Sequence, residues 1–493
     1  MKDIVNSYFR NKNFSFFILL LLIGSWTHQW ISIGTFINLN FNNFNFDFTW
    51  ILNNRNLLIL VLPLNLILFF LLKKKNKNLI IFFLFFISYL IGLINFQYKI
   101  ADNSFDNFLQ IEIVWHLTFI LNMLCTILIL NNLSALGYEK NYKIFISISL
   151  IILFLIVFFI FFQKGNLLTK PTYYLNMFGS IKEINSNGLS RSMMVIFIFA
   201  FCASLKKNKI NVFLISLSTF LSYLIIANEG RLNFVSLIIA ILLILFLVNF
   251  FFKKKVLIFF IVFILPLTIN IFVKNKNILS SDNIYYKNFY NELKKNRLFA
   301  LQGEIRGNDL NEENQIINLN SGLNDRCINF GSSKLLNKIN IITTGRVKKW
   351  ICVFKLENDY IFGNGPEYDR NILINEPLKP NDSNILKQDQ GQDVANGGIY
   401  ALISGGVIGL LCYLIIIFRY FFLSINFLIL KKNISLTENS FFIGSFTTTG
   451  YLIGRSFFEN SIASYGIDFL IFIICYFFIF ERFNRSENNY QNP

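Results

Sequence analysis

The sequence predicts an all-α polytopic membrane protein with about twelve transmembrane helices, and three observations carry that prediction. Apolar runs of about 18–22 residues recur along the chain, the length that crosses roughly 30 Å of hydrocarbon at 1.5 Å per residue. Lysines cluster just outside these runs, always after an even-numbered one. A single segment, residues 274–395, stays polar over 122 residues and interrupts the pattern late in the chain. In a 493-residue chain that is 54% hydrophobic, with a mean hydropathy of +0.52, this excludes a soluble multi-domain protein.

The candidate spans, in order, are 14–36, 56–72, 79–97, 113–132, 144–163, 192–205, 210–227, 233–252, 256–273, 397–417, 440–457 and 460–480. The first is preceded by Lys2, Arg10 and Lys12, as a signal peptide would be. Its apolar run is too long and no small-residue cleavage site follows, so it is read as a retained helix. Lys73, Lys74, Lys75 and Lys77 follow the second span, and Lys206, Lys207 and Lys209 the sixth. Lys253, Lys254 and Lys255 follow the eighth, and Lys431 and Lys432 the tenth. If the spans alternate, all four clusters share the side of the N-terminus. The positive-inside rule makes that side cytoplasmic and places both termini there. The chain then divides into helices one to nine with short loops (1–273), a large partly helical loop on the opposite, periplasmic face (274–395), helices ten to twelve (396–480) and a cytoplasmic tail (481–493).

The formal charge of +17 follows the same logic. Its lysines flank spans, so they answer to the membrane surface rather than to nucleic acid. The long loop holds 17 Lys and Arg against 15 Asp and Glu, and loops of this length escape the positive-inside rule. Within it, Thr343, Thr344, Gly345 and Arg346 start a predicted helix that runs through Trp350 and Phe354. Gly363, Asn364, Gly365 and Pro366 then force a turn.

Six cysteines are present, and Cys125, Cys202, Cys412 and Cys475 lie in spans, where a thiol packs as a small apolar group. Cys327 and Cys352 share the outer loop and form a candidate disulfide. The two histidines, His28 and His116, lie in spans, and no Cys/His spacing suits a metal; neither a metal nor a cofactor is expected.

Span ten opens on polar residues (Gln390, Gln392, Asp393, Asn396) and then repeats small ones at Gly397, Ala401, Gly405 and Gly409. Spacing by four places these on one face of a straight helix, where another helix can approach closely. Other outer helix ends carry arginine: Arg191 before span six, Arg231 beside Glu229 between spans seven and eight, and Arg455 with Glu459 between spans eleven and twelve. Arg346 joins them from the loop. Arginines at a helix end can snorkel to the interface with no further role. A guanidinium fork also matches phosphate oxygens bidentately, and fixed cations stabilise the charge that develops on a departing diphosphate.

On these residues the chain resembles the O-antigen polymerases and O-antigen ligases, bacterial inner-membrane glycosyltransferases with about twelve helices and one large late periplasmic loop. The resemblance rests on Thr344-Gly345-Arg346 followed by Trp350 and the glycine turn, on Arg231 before a mid-chain helix, on Arg455 with Glu459, and on Asn396 followed after nine residues by Gly406-Val407-Ile408-Gly409. Ala395 stands where the ligases have a histidine, which favours the polymerase. The resemblance implies metal-independent transfer of a glycan from undecaprenyl diphosphate onto the next lipid-linked repeat unit, with membrane lipids and a chain-length regulator as further partners. Arg231, Arg346, Arg455, Glu459, Asp393 and Glu229 are the expected catalytic residues. Arg191 and Asn396 are expected to bind substrate, and Trp350, Tyr360, Phe362 and Tyr368 to stack on sugar faces. The alternatives are a ligase that transfers glycan to lipid A core or another acceptor and, from another class, a lipid-linked oligosaccharide flippase. A transporter should carry ionisable groups deep in several spans. Spans two, three, five, eight and nine contain none, and Asp468 in span twelve is the main exception.

Overall fold

The computed structural model describes residues 77–100, 174–177, 180–183, 186–205, 210–227, 231–248, 252–279, 346–356, 360–366, 368–373, 394–429, 440–463 and 467–491, with the isolated positions 63, 121 and 151. The predicted spans 14–36, 56–72, 113–132 and 144–163 therefore lie outside the described residues, as do Cys327, Glu229 and Asp393. The described part is helical except for one antiparallel ribbon, β1 (Tyr174–Met177) with β2 (Ser180–Glu183), which the hydropathy reading did not anticipate.

The helices are α1 (Lys77–Ile100), α2 (Ser186–Ser204), α3 (Val212–Ala227) and α4 (Arg231–Leu247). Next, α5 runs Phe252–Phe259, passes through a π-helical stretch Phe260–Ile264 and continues Leu265–Leu279. Pro266 explains the interruption. A proline lacks an N–H and its ring crowds the carbonyl four residues back, and a wider π turn just upstream relieves both. The long loop contributes α6 (Arg346–Leu356) and α7 (Tyr368–Leu373), and the chain ends with α8 (Gly397–Ile429), α9 (Ser440–Ser456) and α10 (Ile467–Gln491).

By length and composition two stretches, Lys253–Phe272 and Gly397–Phe427, could cross a membrane, the second interrupted at Gly406, and several shorter helices are apolar too. Their outward faces are apolar too. On α4, the exposed residues Val235, Ile239, Leu242 and Phe246 recur at helical spacing. Soluble monomers rarely expose contiguous apolar patches of that kind, and lipid tolerates them.

α9 is the centre of the bundle. It packs against α2, α4, α8 and α10, and nearly every residue from Phe442 to Ser456 is buried. Phenylalanines fill the layers around it: Phe442 and Phe446 interlock with Phe427 and Tyr420 of α8, and Phe199 of α2 lies against Gly444. This packing delivers the last turn of α9, with Arg455, to a fixed position among four other helices.

The tenth predicted span is not one straight helix. Gly406 has φ 62° and ψ −159°, and the chain reverses there. A Cβ placed on Gly409 would meet the Ala401 carbonyl oxygen at 2.7 Å, and one on Gly397 would meet Tyr413 Oη at 2.9 Å. Along a continuous helix those pairs would be separated by about 12 and 24 Å. The arms 397–405 and 407–429 therefore fold against each other as a hairpin. The small residues serve two contacts: Ala401 faces Gly409 across the hairpin, while Gly405 and Gly409 admit Ser88 and Tyr89 of α1. A single stripe along one helix face is thus corrected to small residues at a reversal.

A broken helix leaves backbone groups without partners. Here the predicted glycine turn supplies them. Asn364 N donates to Ile403 O (2.8 Å), Gly365 N to Ser404 O (3.0 Å), and Val407 N to Tyr360 O (2.9 Å). Gly363, at φ 73°, lies so close that a Cβ there would sit 2.6 Å from Gly406 N. From α1, Asn95 Nδ2 holds Gly363 O at 2.8 Å. The loop segment 360–366 thus completes the hydrogen bonding of the hairpin tip, which is how irregular backbone is accommodated inside a membrane protein.

Candidate functional site

The site forms where α9 ends. Arg455 lies in the last turn of α9, where the negative end of the helix dipole favours a cation, and it is 2% exposed. Its Nη1 donates to Asn233 Oδ1 (2.7 Å) and to Tyr451 Oη (3.3 Å). Tyr451 in turn donates to the same Asn233 oxygen at 3.3 Å. Arg455 Nη2 stands 3.9 Å from Glu459 Oε1. That oxygen also accepts from Arg346 Nη2, at the first residue of α6, at 3.0 Å. Arg191 of α2 donates from Nη1 to Asp468 Oδ2 at 2.6 Å, and the Asp468 carboxylate also acts electrostatically on Arg455.

Among the described residues, three of the expected arginines, Arg191, Arg346 and Arg455, pair with the carboxylates of Asp468 and Glu459. The α4 helix begins at Arg231, two residues before Asn233, which brings its backbone to the same cluster. The Arg231 side chain is outside the described residues, as are Glu229 and Asp393. Of the three candidate bases, Glu459 is described, and it is engaged by two guanidiniums.

Asp468 changes place relative to expectation. The predicted span began at 460, which put Asp468 well inside it. The helix begins at Ile467, so Asp468 sits in its first turn, where the positive end of the dipole favours a carboxylate. Residues 461–463 form a turn instead, in which Ala463 O accepts from Tyr89 Oη at 2.8 Å.

No family model, curated protein or solved structure matches the chain. The chemistry of the cluster is therefore read from its own residues.

Several residues expected to touch substrate also hold the site together. Asn396 Oδ1 accepts from Ile399 N (3.0 Å), an N-cap on the first hairpin arm. Its Nδ2 donates to Phe457 O (2.9 Å), and its backbone N donates to Asn460 Oδ1 (2.9 Å). Asn396 thus caps α8 through Oδ1, while its Nδ2 and its backbone N–H tie the start of α8 to the 457–460 turn. Trp350 Nε1 donates to Val394 O at 2.7 Å, and Asp369 Oδ2 accepts from Val394 N at 2.9 Å. Tyr368 packs against the core, and Tyr360 donates to Phe354 O at 2.7 Å. Phe362 remains 50% exposed on the apolar surface of the turn. Trp350 and Tyr360 thus hold loop backbone through their polar atoms, and Tyr368 anchors α7 against the core.

Cys352 is fully buried and disulfide-bonded; its expected partner, Cys327, lies outside the described residues. Among the described residues no group of His, Cys, Asp and Glu is arranged to hold a metal. Ala395, at the position where the resembled ligases have histidine, is buried with φ 48°, a left-handed conformation that alanine rarely adopts.

Asn233 and Tyr451 escaped the sequence reading, and Asp468 entered it only as an ionisable group in span twelve. Tyr451 precedes Arg455 by four residues, one turn back on the same helical face. Asn233 is a lone amide in an apolar helix, and that isolation was the available signal.

Proposed function

We propose that the chain is a bacterial inner-membrane glycosyltransferase of the O-antigen polymerase type. In this reading it has about twelve spans with both termini cytoplasmic and its site on the periplasmic face. It transfers a glycan from undecaprenyl diphosphate onto the next lipid-linked repeat unit. The observation that supports this reading is that Arg191, Arg346 and Arg455, from three separate helices, all stand in ion pairs at the end of the bundle where α9 ends. A part-buried group of guanidiniums suits a diphosphate better than a neutral sugar alone.

The reaction follows from that charge. An acceptor sugar hydroxyl attacks the anomeric carbon of the donor, a new C–O bond forms, and the bond to the diphosphate oxygen breaks. The departing diphosphate gains negative charge, which guanidiniums already in place stabilise without reorganisation. The hydroxyl proton passes to a carboxylate. Glu459 is held between Arg346 and Arg455, which leaves Glu229 and Asp393 as the candidate bases.

The test is a purified, reconstituted chain given a synthetic undecaprenyl-diphosphate-linked repeat unit. Products of two or more repeats support a polymerase. Transfer to lipid A core and no elongation would make it a ligase. Movement of intact substrate across the bilayer with no new glycosidic bond would make it a flippase.

A further inference from the structure

Asn233 is 1% exposed, and its two amide ends are not equivalent. A guanidinium has donors and no acceptor, so the atom facing Arg455 Nη1 at 2.7 Å must be the amide oxygen. Tyr451 donates to that same oxygen. The orientation of the amide is thereby set, and its Nδ2 points away from both partners. Nδ2 is buried and has no hydrogen-bond partner among the described residues. Leaving a buried donor unmade costs about 1–3 kcal/mol, and the neighbours of Asn233 along α4 are apolar. A leucine would avoid that cost.

The surroundings identify what would complete the bond. Arg191 Nε is a second buried donor without a partner among the described residues. Asn233 lies in the N-terminal turn of α4, at the positive end of a helix dipole. A buried donor left open beside a guanidinium and a helix N-terminus is matched by an anionic oxygen.

We infer that Asn233 Nδ2 donates to a phosphoryl oxygen of a diphosphate ester seated beside Arg455, so that Asn233 is a ligand-binding residue which also orients that arginine. The inference rests on the function proposed above, which supplies a polyprenyl diphosphate as the ligand, and it adds the residue that reads the phosphate as an acceptor.

The experiment measures binding of labelled undecaprenyl diphosphate to the full chain in lipid nanodiscs, for wild type, Asn233→Asp and Asn233→Leu. The aspartate keeps an oxygen for Arg455 and Tyr451 and removes the donor. The leucine removes the donor without adding a charge that would offset Arg455. Expected is at least a tenfold weakening in both, with the wild-type melting temperature kept in the aspartate variant. Wild-type affinity in either variant overturns the inference and leaves the proposed function standing. Should the leucine variant fail to fold, Asn233→Ala takes its place under the same criterion. No binding by the wild type overturns the proposed function and the inference together. Inorganic diphosphate competing as well as the lipid would show a soluble phosphate ligand; the Asn233 contact would stand and the lipid donor would not.

Discussion

Arg346 reaches across 113 residues of sequence to place Nη2 3.0 Å from Glu459 Oε1. The contact ties the long loop to the end of α9, because the same carboxylate oxygen faces Arg455. It makes the loop part of the site.

Arg346 is partly exposed, its side chain retaining 22% of its surface, so its removal should not unfold the protein. Arg346→Ala should insert and fold normally yet lower in vitro elongation by about 10²-fold or more, the usual effect of losing one transition-state donor. Arg346→Lys should recover only part of the rate, because it lacks the fork. Normal chain-length ladders from the alanine variant would remove Arg346 from the site.

Glu459 lies between two cations, Arg346 and Arg455, and the expected consequence is a clamping role. Glu459→Gln should destabilise the protein by about 1–3 kcal/mol, between the values for exposed and buried pairs. It should retain measurable elongation. A loss of 10³-fold or more, with the melting temperature unchanged, would instead assign Glu459 the proton transfer.

Gly406 carries both a left-handed backbone and a close contact. A Cβ there would collide with the Ile361 carbonyl oxygen. The conformation, φ 62° with ψ −159°, is essentially open to glycine alone and costs a side chain about 1–3 kcal/mol. Gly406→Ala should therefore lower the melting temperature markedly and expose the 360–366 turn to protease. An unchanged melting curve would contradict the hairpin.

Ala395 holds the opposite potential. Glycine at φ 48° would recover about 1–2 kcal/mol of conformational strain and lose about 0.4–1 kcal/mol to unfolded-state entropy. Ala395→Gly should stabilise the protein by about 0.5–1 kcal/mol, read as a small rise in melting temperature.

Part of the described architecture was legible in the sequence. The predicted spans 210–227 and 440–457 coincide with α3 and α9 almost residue for residue. Thr344 and Gly345 announced the helix that starts at Arg346. Three of the four arginines chosen for their unexpected positions meet in one cluster. The reversal in α8 was not legible, because small residues spaced by four read the same whether they face another helix or a returning arm. The partners of the arginines were hidden for a similar reason: nothing near Arg191 in sequence points to Asp468, 277 residues away.

By itself the sequence determined where helices form and which of their ends carry charge, because hydropathy, lysine placement and capping act over a few residues of neighbouring chain. The tertiary structure alone decided that span ten turns back at Gly406, that Asn396 and Trp350 hold backbone, and that Asn233 stands beside Arg455. Those outcomes depend on which helices become neighbours. That choice is made by close packing and by the need of every buried polar group for a partner, and both act between residues that may be hundreds of positions apart.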